Sequence, residues 1–218
     1  MTRSATRTAL AVVFLVFAGL RSPAESAAAG DPQALLARFK EAAGGAAWDS
    51  VATLSSRGTL SVGGLDGTFE GIEELRTGRS RVRYDLKVAK GEQGFDGERP
   101  WELTPSGEVV VKSSENDLEG ARTDAYRTAR AFWFPERFSA EVAYDRAAEL
   151  GGRACHVLRL HPTGGREFEL WLDAVTFLMV QTVEVGATQT TTVTYSDWKA
   201  VGALKLPFTS FSTTGHPG

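Results

Sequence analysis

The sequence predicts a mainly β protein with α. It reads as a single curved, half-open antiparallel β-barrel of about 10–11 strands with an N-terminal helix. A second helix, inserted near 114–131, should cover the concave face. Three observations lead there. Apolar residues alternate with polar ones along most of the chain, the period of a sheet with one face in a core. The runs are of strand length and are separated by short turns, which leave no room for crossover helices, so sequence neighbours should be sheet neighbours. The period changes to that of a helix in only two places. The clearest stretch is Arg166 to Phe208. There Phe168, Leu170 and Leu172 point one way, and Glu167, Glu169, Trp171 and Asp173 the other.

The first thirty of the 218 residues differ from the rest. Arg3 and Arg7 precede an apolar run from Ala9 to Leu20, followed by small residues at Ala24 and Ala27 to Ala29. That is the pattern of a secretory signal peptide over residues 1–29, with a folded domain over 30–218. The run is short for a stable membrane span. Without residues 1–29 the chain has 21 basic and 26 acidic side chains, a net charge of −5. Such a balance exerts no general pull on nucleic acid. Cys155 is the sole cysteine, so no internal disulfide can form.

Asp31-Pro32 opens the first helix as a cap followed by a proline at the first helical position. Leu35, Leu36 and Phe39 form its stripe, and Gly44-Gly45 end it. Trp48 should pack on the sheet from a further short turn. Strands follow over 54–62, 68–77 and 81–88, with Gly71 a candidate bulge. In the third, Val82, Tyr84, Leu86 and Val88 face inward, and Arg81, Arg83, Asp85 and Lys87 outward. Short strands near 92–96, 101–104 and 108–112 complete the first block. From Ser114 to about Ala131, Leu118, Ala121, Ala125, Ala129 and Phe132 recur at helical spacing. This helix leads into Phe132-Trp133-Phe134, with Pro135 as its stop. Strands resume over 140–150 and 154–162 and run on into the final meander.

Chemistry-bearing patterns are scarce. His156 and His161 lie five apart on one strand, on opposite faces, and His216 is in the C-terminal tail. No catalytic triad, nucleophile elbow, phosphate loop or metal-ligand spacing is legible. Asp66-Gly67 and Asp96-Gly97 read as hairpin turns. The sequence therefore points to a non-enzymatic protein without catalytic, metal or cofactor residues. The remaining signal is aromatic. Large rings dominate cores, and some could line a ligand pocket. The candidate cavity wall is Tyr84, Leu86, Trp101, Phe132, Trp133, Phe134, Phe168 and Leu170.

Several segments together resemble the LolA/LolB-like periplasmic lipoprotein-carrier superfamily. They are Gly44-Gly45-x-x-Trp48, Phe95-Asp96-Gly97 with Trp101, and Leu170-Trp171-Leu172-Asp173-x-x-Thr176. Tyr195-Ser196-Asp197-Trp198, Gly202 and Leu206-Pro207-Phe208 complete the series. The resemblance implies a strongly curved sheet with helices plugging an apolar cavity, and a lipid or lipoprotein acyl chain as partner. It further implies a monomer in the periplasm, or secreted, with no membrane span after signal cleavage. The chain also resembles the N-terminal domain ahead of retropepsin-like domains in some secreted bacterial proteins. The alternative expectation is thus an accessory protein-binding module with a side-chain-filled barrel.

Overall fold

In the computed structural model, residues 30–186 and 188–215 are described. The expected signal peptide, residues 1–29, lies outside the described residues, as does His216.

Helix α1 (Pro32–Ala42) starts where Asp31 accepts a hydrogen bond from the Gln33 amide at 3.0 Å. A 3-10 turn (Gly45–Ser50) follows and buries Trp48, whose Nε1 donates to the Ala43 carbonyl at 2.9 Å. Gly44 is required at this junction. Its φ is +129°, and an added Cβ would lie 2.6 Å from the Ala203 carbonyl oxygen.

Among the described residues, twelve strands follow. The first six are β1 (Thr53–Val62), β2 (Leu65–Glu74), β3 (Ser80–Asp85), β4 (Lys90–Phe95), β5 (Pro100–Leu103) and β6 (Val109–Val111). Helix α2 (Glu115–Thr128) comes next. The last six are β7 (Ala140–Leu150), β8 (Arg153–Pro162), β9 (Phe168–Asp173), β10 (Met179–Val185), β11 (Thr190–Val201) and β12 (Leu204–Gly215). Every described pairing is antiparallel and joins neighbours in sequence, as short connections dictate.

The pairing corrects the expectation of one continuous sheet. There are two six-stranded meanders, β1 to β6 and β7 to β12. The chain between β6 and β7 is taken up by α2 and the aromatic segment, so those strands do not pair. A cleft of about 730 Å³ lies between β1–β3 and the β12 segment Leu206-Pro207-Phe208. Gly71 is not a bulge, because the β1–β2–β3 register runs through it unbroken. Register shifts occur instead near Tyr144 and near Met179. Helix α2 ends at Thr128, well before Pro135. Arg130 stops it, with φ +53° and a guanidinium that donates to the Arg127 and Thr128 carbonyls.

The core sits on the second meander. Leu158, Leu160, Phe168, Leu170 and Leu172 are at most 2% exposed, packed with Leu35, Leu36, Phe39 and Trp48 and with the 129–134 segment. The first meander with its connections contributes only Leu75, just after β2, Leu86, just after β3, and Phe95 of β4 to the buried apolar set. At about 1.5–3 kcal/mol per buried side chain, the second sheet carries most of the hydrophobic stabilisation. The first sheet is therefore free to stand off from the core on one side, and the candidate site lies in that gap.

Candidate functional site

Strand register builds the floor of a cavity of about 530 Å³. Ser56 pairs with Gly71, Gly71 with Val82, Val82 with Gln93 and Gln93 with Glu102, one row across five strands. The next row runs Glu73, Ser80, Phe95 and Pro100. Residues directly opposite share a face, so both rows line the hollow together with Phe69. The roof is α2. Asn116, Gly120, Asp124 and Thr128 recur four apart, and Asp117 and Ala121 lie beside them, so one stripe of the helix overhangs the floor.

Helix α2 is fastened to the second meander. Thr123, fully buried, accepts a hydrogen bond from the Arg166 amide at 2.7 Å. The Arg166 guanidinium donates to Glu184 at 3.0 Å and to Asn116 Oδ1 at 2.9 Å. Arg127 donates to the other Glu184 oxygen at 2.6 Å and lies over the Phe168 ring. Glu184 thus holds two arginines, Arg127 from the last turn of α2 and Arg166 from the β8–β9 connection, which reaches Asn116 in the first turn of the helix. Against the first meander, by contrast, α2 sets its small residues Ala121 and Ala125 on Phe95.

The lining is mixed, which corrects the expectation of an apolar hollow. Phe69, Val82, Phe95, Pro100 and Ala121 supply apolar surface, and ionisable groups stand among them. The basic ones are matched. Lys112 lies 2.6 Å from Glu102, Arg81 2.6 Å from Glu92, and Arg166 3.0 Å from Glu184. Glu73 is met by Arg130 at 3.0 Å. The hydrogen bond to Glu102 raises the Lys112 ammonium above its ordinary pKa, and that from Arg81 holds the Glu92 carboxyl below its own. The polar stripe arises because the large apolar residue of α2 is used elsewhere: Tyr126, together with the C-cap Ala129, turns into the core.

The eight residues expected to form the wall divide into two groups. Phe132, Trp133, Phe134, Phe168 and Leu170 belong to the main core, where the Phe132 ring stacks on Phe39 and Trp133 meets Phe39 edge-on. Tyr84 and Leu86 lie on the first meander, with the Tyr84 ring over Gly91. Trp101 borders the cavity. Its register partner is Gly94, one step out of phase with Phe95, and its indole covers that glycine. Sequence reasoning missed Phe69, Phe95 and the polar stripe of α2. The stripe was legible as a four-residue repeat, and Phe69, Gly71 and Glu73 as an alternation. Among the described residues no group of three or more His, Cys, Asp and Glu is placed to hold a metal ion. Nor is any described helix long and apolar enough to cross a membrane.

No family model matches the chain, and no curated protein matches it. Solved structures do. One is a LolA superfamily protein from Nitrosomonas europaea, at 13% identity and TM-score 0.52, covering 83% of this chain and 84% of that one. A domain from Vibrio parahaemolyticus assigned to outer membrane lipoprotein sorting has 13% identity and TM-score 0.53, covering 84% and 86%. A DUF1329 family protein from Desulfovibrio piger has 12% identity and TM-score 0.50, covering 80% and 81%. At such identities the likeness concerns the fold alone, and it spans most of each chain: this protein has a LolA-like fold.

Proposed function

We propose that this chain is a non-enzymatic binding protein of the bacterial cell envelope, and that it holds an amphiphile between its first meander and α2. The ligand is a lipid or a lipoprotein acyl chain. The observation that carries the reading is the 530 Å³ cavity itself, roofed by a helix and floored by sheet residues. Its volume falls within the ~300–1,000 Å³ usual for small-molecule sites. Phe69, Val82 and Phe95 offer the chain an apolar strip. The polar stripe of α2 offers hydrogen bonds to the other end of an amphiphile. Because the lining cations already have carboxylate partners, a ligand whose polar end is uncharged fits better than a bare anion. Phe132, Trp133, Phe134, Phe168 and Leu170 belong to the main core, where Phe132 and Phe168 back α2 through Tyr126, with Trp101 at the cavity border. Location in the envelope rests on the signal pattern of residues 1–29.

Native mass spectrometry after gentle extraction checks this reading. A co-purifying species of lipid mass, lost on delipidation and recovered on incubation with monoacylglycerol, is the expected result. A clean apo mass that takes up no amphiphile rejects it. A second reading, a module that binds protein, is favoured by the β12 edge. Phe208 and Phe211 are 56% and 66% exposed there, beside the 730 Å³ cleft.

A further inference from the structure

We infer that Phe95 is a partition that limits how long a chain the site accepts; this deepens the amphiphile reading and rests on it. The argument begins with what the ring separates. Phe95 lines the 530 Å³ cavity under α2 and also a second cavity of about 560 Å³ on its far side. The second is bordered by the β4–β5 turn at Gly97 and Glu98, by Arg122 and Tyr126 of α2, and by Phe138 and Pro162. The ring is 8% exposed, and Ala121, Ala125 and the partly buried Phe138 pack against it. One side chain and two alanines therefore stand between two spaces of similar size.

The helix cannot close the gap without the ring. Gly78, in the β2–β3 turn, already sits so near α2 that an added Cβ would come within 2.9 Å of the Ala125 Cβ. That contact sets the distance of α2 from the first meander at one point, and Phe95 fills the interval beside it. Residues 121 and 125 are small where the ring seats, and the stripe of α2 further along the cavity is polar. An apolar chain lying along Phe69 and Val82 and continuing toward β4 would meet the Phe95 ring. Truncating that ring roughly doubles the contiguous space.

Chain-length profiles test the partition. Monoacylglycerols of increasing acyl length are titrated against the wild type, Phe95→Ala and the milder Phe95→Leu, by displacement of a fluorescent apolar probe. Folding is checked by circular dichroism. In the wild type, affinity should rise by about fourfold per methylene buried and then level off at a limiting length. Phe95→Ala should move that limit several carbons longer, and Phe95→Leu by less. A limit at the same length in all three folded proteins overturns the inference and leaves the amphiphile reading standing. No binding of any length by any of the three overturns both.

Discussion

At the scale of single residues, the largest energies belong to the second meander. Phe168 is 2% exposed and touches both Tyr126 and the Arg127 guanidinium. Phe168→Ala should destabilise the fold by about 3–5 kcal/mol in urea unfolding, the usual cost of a large buried ring. His156 supplies a pH effect. Its ring stacks on Phe177, and Nδ1 is buried without a hydrogen-bond partner. Burial, and then the Arg38 guanidinium, hold its pKa below 6.5. The unfolded chain takes up that proton near pH 6.5 and the folded one only at lower pH. The neutral imidazole thus supports the fold fully above about pH 6.5, and the support is lost as pH falls through the folded value. His156→Gln should show a smaller loss of unfolding free energy than the wild type between pH 7.5 and 5.5, a range above ordinary carboxylate titration.

At the scale of elements, α2 is a roof hinged on one side. Arg166→Ala removes the bonds to Glu184 and Asn116 together and leaves Arg127 alone with the carboxylate. Amide exchange in Glu115–Thr128 should quicken, and overall stability should fall by about 1.5–3 kcal/mol, the range for hydrogen bonds to charged groups. A stability loss with unchanged exchange in α2 would assign Arg166 to the sheet instead. The β2–β3 turn tests the opposite side. Gly78 and Gly107 have φ of +70° and +85°, but only Gly78 has a neighbour in the way. Both alanine variants carry the backbone cost of positive φ, about 1 kcal/mol, so Gly78→Ala should be the more destabilising in thermal unfolding. Equal losses would show that α2 yields freely at Ala125.

At the scale of the whole molecule, the two sheets are unequally anchored, and amides of β1–β6 should exchange before those of β8–β10. Strand order, strand faces and the two helices were legible in the sequence because each depends on neighbours close in the chain. Val82 and Tyr84 opposite Arg81 and Arg83, the Asp31 cap and the Gly44 stop are of that kind. Hidden was the break between β6 and β7. Continuing a meander or leaving it for a helix layer depends on what α2 packs against, and that surface is built from residues far away in sequence. The same reason explains the aromatic residues. Phe132, Trp133 and Phe134 are adjacent to a helix end, but only the seat formed by Phe39 and Trp48 makes them core.

Local periodicity and turn chemistry were sufficient for an antiparallel meander of short strands with two helices, since period, capping and positive-φ glycine act within a few residues. Only the tertiary structure decided that the hollow under α2 is partly polar, that its basic groups are already matched, and that Phe95 stands between it and a second cavity. Those properties depend on which face of a helix meets which row of a distant sheet, and pairing across such distances leaves no mark in the sequence of either partner.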